Sequence, residues 1–406
     1  MRTFARRQAL AVAAATAVSM MLASPALAQK KYDTGASDTE IRLGTSMPLS
    51  GPVSSFGVIA RGIDAYFKRV NESGGINGRK VTVFSYDDEY SPPKAVEVTR
   101  RLVEQDQVLA VFGVLGTGVN SAVQKYMNAR KVPQLFIGTG ATKWNDPKGN
   151  PWTVPFVTSY GAESRFFAQQ ILRTKPDAKI GVLYQNDDMG KDMLKGLKAG
   201  LGDKASMIVA QQSYETSDPT VDSQMLALMN SGADVFVNFS TGRFAPQAVR
   251  KAFDSGWKPA QQYLPLIANY ASVTYQPAGL DKSVGVMSTA TIKDPSQSRW
   301  ADDAGMQDYR ALMKKYLPGE DAGNQLYAYA YMLSDTMAYV LRQCGDDLTR
   351  ANVLKHATNL KFRSELMLPG IEFNSSAGNY EPYDAFQLVR FNGKESEPVG
   401  SPVKVD

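Results

Sequence analysis

VLAVFGVLGTGVNSAVQKYMNARKVPQLFIGTGATKW, residues 108–144, holds the pattern that decides the fold. An apolar run ends in Gly116-Thr117-Gly118, a helix-like stretch covers 119–130, and a second apolar run ends in Gly138-Thr139-Gly140. Short apolar runs closed by glycine and separated by about a dozen residues of helical character read as strand, helix, strand. Both Gly-Thr-Gly loops then fall at the carboxyl ends of parallel strands, where open α/β sheets bind ligands.

The same alternation extends in both directions. IRLGTSMP at 41–48 is a strand candidate, and the stretch Phe56 to Asn71 places Ile59, Ile63, Phe67 and Val70 on one helical face. The glycine turn GGINGRK leads to a strand at 81–88, a helix over 92–106 and the strand at 108–116, giving the order βαβαβ. Strand patterns resume at KIGVLYQ (179–185) and DVFVNFSTG (234–242), residues 299–359 read as mostly helical, and short strand and turn signals close the chain. The expected class is α/β with parallel sheets covered by helices on both faces. With 406 residues, 43% of them hydrophobic, the chain fills two lobes rather than one. No repeat or low-complexity linker appears, so short crossings are expected to join them.

Residues 1–28, with a basic start, an apolar stretch and a small-x-small ending at Ala26, Leu27 and Ala28, read as a secretory signal peptide. An uncleaved anchor is the rival reading, and Arg6-Arg7 leaves the export route open between the general and twin-arginine pathways. Removing Arg2, Arg6 and Arg7 takes the basic count from 45 to 42 against 40 acids, about +2. With no Lys/Arg block interleaved by aromatics, a nucleic-acid partner is not expected.

Catalytic machinery is hard to assemble from these residues. The only histidine, His356, lies in a helical segment and suits a surface or core position better than a general base. No G-x-S-x-G elbow and no His/Cys ligand cluster is present, so neither a catalytic residue nor a metal ligand is assigned. Cys344, the only cysteine, has no partner for a disulfide and reads as a core residue. The acid pairs Asp87-Asp88 and Asp187-Asp188 suit turns or helix caps better than Ca²⁺. The second loop lacks the Walker spacing, since Trp144 follows Lys143, and the first has Ser121 where a dinucleotide fingerprint needs glycine. No cofactor is expected. The loops suit a smaller anion, for which glycine permits close approach and the first amides of the following helix stand unpaired.

MPLSGPVSSFG at 47–57, GGINGRKV at 74–81, the YDDEYSPPKAVEVTRRLV run and the two Gly-Thr loops together resemble the leucine/isoleucine/valine-binding family of periplasmic receptors for ABC importers. The likeness covers nearly all of the chain beyond the leader. It implies a type I periplasmic-binding-protein clamshell of two Rossmann-like lobes with three crossings. The boundaries it suggests are 39–157 with 287–363 for one lobe and 158–286 with 364–406 for the other. It also implies a monomer in the periplasm, working with a membrane permease and its ATPase.

Carried onto this sequence, the resemblance gives a ligand site of Thr117 and Gly118 from the first loop and Gly140, Ala141 and Thr142 from the second. Phe56, Met189 and Thr241 stand where family members often carry tyrosine, and Tyr160 adds an apolar wall. Asn269 stands where amino-acid receptors carry the acid that meets the ligand's ammonium. The expected ligand is a small carboxylate: a branched-chain or hydrophobic amino acid, or an aromatic, hydroxy or keto acid without an ammonium. A sensing module for a separate signalling partner is the alternative of another class.

Overall fold

The computed structural model describes residues 30–383 and 385–404. The signal-peptide reading of 1–28 lies outside them. Two sheets organise the chain. The first contains β1 (Glu40–Met47), β2 (Lys80–Asp87), β3 (Ala110–Phe112), β4 (Gln134–Ile137) and β5 (Thr153–Pro155) in the order β2-β1-β3-β4-β5, all pairs parallel. Between these strands run α1 (Val58–Glu72), α2 (Pro92–Arg100) and α3 (Thr117–Arg130). The apolar stripe expected on α1 is buried at Ile59, Ile63, Phe67 and Val70. Across the sheet, Ala95 of α2 packs with Val119, Val123 and Met127 of α3. Buried on both faces, β3 is wholly apolar and β4 is apolar after its first residue, Gln134, as parallel strands tend to be.

The second sheet follows α4 (Tyr160–Thr174). It contains β6 (Ile180–Gln185), β7 (Ile208–Tyr214), β8 (Val235–Phe239), β9 (Gln261–Tyr263) and β10 (Val286–Ala290), alternating in part with α5 (Asp188–Leu201), α6 (Asp222–Asn230) and α7 (Phe244–Asp254). The chain then adds α8 (Ala304–Tyr316), α9 (Gln325–Cys344) and α10 (Arg350–Ala357) to the first lobe, where α8 and α9 pack on α1. It returns for β12 (Ala385–Phe391), β13 (Ser396–Pro398) and β14 (Val403–Lys404), after the two-residue strand β11 (Phe373–Asn374). The order is β13-β12-β10-β9-β8-β6-β7, with β14 also on β12; the pairs from β7 to β10 are parallel and those made by β12 are antiparallel. Val235, Val237 and Phe239 of β8 face the core shared with α4 and α5, whereas Phe236 faces α6 and α7. Period-two alternation on a strand covered on both sides produces this split.

This is the type I clamshell, and the chain passes between its lobes three times. The first passage lies between β5 and α4. Because β10 pairs with β9 and β12, the second passage falls after Ala290. Because β11 pairs with Lys361–Phe362 beside α10, the third falls after Asn374. Strand membership thus supports moving the expected divisions at 287 and 364 to 291 and 375, and we propose the lobes in that form. The first and third passages are tied together where the Ser159 N–H donates to Glu381 Oε1 at 2.7 Å. Cys344 is buried at the end of α9, its thiol pushed up to about 12 by burial, as befits a core residue.

Candidate functional site

Between the lobes lies an enclosed, apolar cavity. Phe56, Tyr90, Leu115, Gly116, Gly138 and Tyr329 close it from the first lobe. Met189, Thr241, Leu266 and Tyr270 close it from the second, with Val157 and Tyr160 at the passage between them. Among the described residues, no Asp, Glu, Lys, Arg or His side chain lines it. As the lobes stand, the space is narrow, about 30 Å³ open to the centre of a water molecule.

Local chemistry sets each wall. Gly116 adopts φ 102°, and a Cβ there would lie 2.4 Å from the Tyr90 ring, so glycine is what lets Tyr90 lean over the start of α3. The helix begins at Thr117 without a side-chain cap, leaving its first amides and the positive end of its dipole beside the cavity wall. In the second loop, a Cβ on Gly140 would lie 2.1 Å from the Thr158 carbonyl, and the Gly140 carbonyl accepts from Tyr160 N–H at 2.6 Å. This close approach seats Tyr160. In the second lobe, the Asp187 side chain caps α5 by accepting from the amides of Met189 and Gly190. Gln185 links Asp187 to the Tyr214 hydroxyl, which in turn accepts from the Thr241 N–H at 3.3 Å. One chain of hydrogen bonds therefore fixes both Met189 and Thr241.

Of the residues expected from the sequence, Phe56, Tyr160, Met189 and Thr241 line the cavity. Thr117 is buried just behind the wall, its Oγ1 2.6 Å from Thr139 Oγ1, so the threonines of the two Gly-Thr-Gly loops bind each other. Gly118 lies in the first turn of α3. Gly140 and Ala141 support Tyr160 and the adjoining apolar cluster. Thr142 reaches across to the other lobe, where its N–H and Oγ1 lie 2.8 and 3.0 Å from Asp192 Oδ2. Beside it, Lys143 Nζ meets Asp188 Oδ2 at 2.5 Å. Asn269 is buried beneath the neighbouring wall with its amide committed: Nδ2 donates to the Thr289 carbonyl, and Oδ1 accepts from Tyr275 and Ser396 hydroxyls.

Three carboxylates stand behind the tyrosines. Asp88 accepts from Ser46 and from the Tyr90 N–H, and burial pushes it above the usual carboxylate range, as it does Asp187. Glu163 is buried on α4, where Oε1 accepts from the Leu266 N–H at 2.7 Å and from the Thr289 hydroxyl. Burial drives its pKa up to about 7. Sequence reasoning passed over Glu163, Tyr90, Tyr270 and Tyr329. A tyrosine directly after the acids that end β2 was a usable signal for Tyr90. His356 is half-buried on α10, away from the cavity.

A family model described as periplasmic binding protein matches residues 40–395. Leu/Ile/Val-binding protein homolog 7 of Brucella abortus is 26% identical over 229 residues, 54% of this chain and 57% of the relative. The matched stretch thus spans little more than half the length of that relative. A branched-chain amino acid ABC transporter structure from Thermus thermophilus with bound valine superposes with a TM-score of 0.80 at 15% identity, covering 91% of this chain and 97% of the other. The solute-binding protein of an ABC transporter from R. palustris in complex with benzoate gives 0.74 at 18% identity, covering 90% and 97%.

Proposed function

From a chain that belongs to the periplasmic binding protein family, we propose an extracytoplasmic receptor that captures a small monocarboxylate and delivers it to an ABC permease and its ATPase. The family is one of solute-binding proteins, so no catalysis is proposed. Location in the periplasm after removal of the leader, and action as a monomer, belong to the same reading. Closure of the lobes around the ligand provides the signal for delivery: a ligand that touches both walls favours the closed form by its differential contacts.

The observation that carries the ligand class is the make-up of the cavity wall, which offers aromatic and aliphatic side chains, tyrosine hydroxyls and the uncapped start of α3, but no carboxylate. A helix start with free amides favours an anion. An ammonium in the same space would lack a charged partner and forfeit about 1.5–3 kcal/mol of charge-assisted hydrogen bonding. Aromatic or aliphatic acids without an amino group therefore suit this wall better than amino acids. The branched-chain amino acid reading is the second, favoured by the valine-bound structural neighbour.

Thermal-shift titration with matched pairs separates the two readings: leucine against 4-methylpentanoate, phenylalanine against 3-phenylpropionate, with benzoate and 4-hydroxybenzoate added. A ligand at a hundred times its Kd contributes about 2.7 kcal/mol, a rise of several degrees in Tm. Stabilisation by the acids without an amino group is expected. Stabilisation by leucine or phenylalanine alone would overturn the ligand class.

A further inference from the structure

α9 carries three tyrosines at alternate positions, and two of their hydroxyls are committed. Tyr327 accepts from Arg61 at 3.1 Å, and Tyr331 donates to Asp308 at 2.6 Å. The third differs. Tyr329 is 7% exposed, its ring is set edge-on to Phe156 with centroids 5.8 Å apart, and its hydroxyl makes no hydrogen bond among the described residues.

The direction of that hydroxyl gives it meaning. Tyr329 lines the candidate cavity, and its Oη would lie 3.4 Å from a Cβ placed on Gly138, which puts it on the floor between the two Gly-Thr-Gly loops. Phenylalanine would fill the same volume without stranding a polar group, and an orphaned buried hydroxyl is a cost the fold ordinarily avoids. Burial holds the phenol protonated, so it stands as a donor at a cavity that the uncapped start of α3 also borders.

Resting on the monocarboxylate reading above, we propose that the Tyr329 hydroxyl is a specificity-determining donor that binds the carboxylate of the ligand in the cavity that the start of α3 also borders. The ligand then supplies the acceptor that the fold leaves out. An ester or amide of the same acid offers a weaker, uncharged acceptor and binds less well.

Tyr329→Phe tests this, because a binding role and a fold-supporting role move two readouts in opposite directions. Without ligand, the variant is expected to melt at the wild-type temperature or above it. Its Kd for whichever of the six probe acids stabilises the wild type is expected to rise about ten- to a hundredfold, the loss of one hydrogen bond to a charged group. Tyr331→Phe is the control: it breaks a real bond to Asp308 and is expected to lower Tm. Unchanged Kd in Tyr329→Phe would overturn the proposal. So would a lower Tm without ligand, since the hydroxyl would then serve the fold through protein or trapped water. If no probe stabilises the wild type, the ligand class fails, and the unliganded Tm comparison still decides whether the hydroxyl is uncommitted.

Discussion

Asp192→Ala should weaken ligand binding although Asp192 lines no part of the cavity. Asp192 lies on α5 of the second lobe and accepts twice from Thr142 in the loop after β4 of the first, at 2.8 and 3.0 Å. Lys143 adds an ion pair to Asp188 at 2.5 Å, with the two side chains 41% and 60% exposed. These contacts join the lobes directly, so they count toward the closed form and are lost when the lobes part. Hydrogen bonds to a charged acceptor are worth about 1.5–3 kcal/mol when well shielded. Here water replaces part of what is removed, and about 1–2 kcal/mol is a reasonable loss. The exposed Lys143–Asp188 pair adds less, about 0.2–1 kcal/mol.

Because ligand affinity is reduced by the fraction of protein in the binding-competent form, a loss of 1–2 kcal/mol in closure raises the apparent Kd by about 5- to 30-fold. Alanine is the best helix former, so α5 itself should not suffer. Isothermal titration of the wild type and the variant with a stabilising probe acid gives the Kd ratio, and small-angle scattering of the saturated proteins reports compaction. Equal affinity together with equal compaction would refute the latch. Lys143→Gln should show a smaller effect that disappears in about 1 M salt, where the Debye length is near 3 Å.

Glu163→Gln should relieve a pH-dependent penalty. The folded-state pKa of about 7 lies above the ordinary 4.5, so the folded state holds a proton that the unfolded state releases, and stability falls as pH rises from about 4.5 to 7. The variant should match the wild type near pH 4.5 and exceed it at pH 8, by at most about 3 kcal/mol; parallel denaturant midpoints across that range would contradict the burial argument. Gly140→Ala should lower Tm sharply, since its Cβ would meet the Thr158 carbonyl at 2.1 Å, and a wild-type melting curve would mean that this loop yields easily. Thr117→Val should cost about 1 kcal/mol by removing the Thr117–Thr139 hydroxyl bond, although Thr139 Oγ1 still accepts from the Trp144 indole N–H, with Thr117→Ser restoring it in urea titrations.

The Gly-Thr-Gly stretches revealed the strand ends because only a few residue types can turn there, and the apolar faces of α1 and the buried strands revealed the layers. Local chemistry sufficed for both. The partners of the loop residues were not legible in the same way: Thr142 meets an acid 50 positions later, and Thr117 meets Thr139 across two strands, neither pair being marked by local spacing. Asn269 follows the three-residue strand β9 and lies between a short 3₁₀ turn and a π turn, so no sustained period fixes which way its side chain points. Tyr329 was hidden for the opposite reason. Nearly every residue of α9 is buried, and a tyrosine amid such a helix reads as core. What separates it from Tyr327 and Tyr331 is the company of its last atom, set by Gly138 just after β4, almost two hundred positions earlier. Specificity in this fold resides where side chains from distant segments converge on one cavity, so a pattern that predicts the scaffold well says least about the ligand it holds.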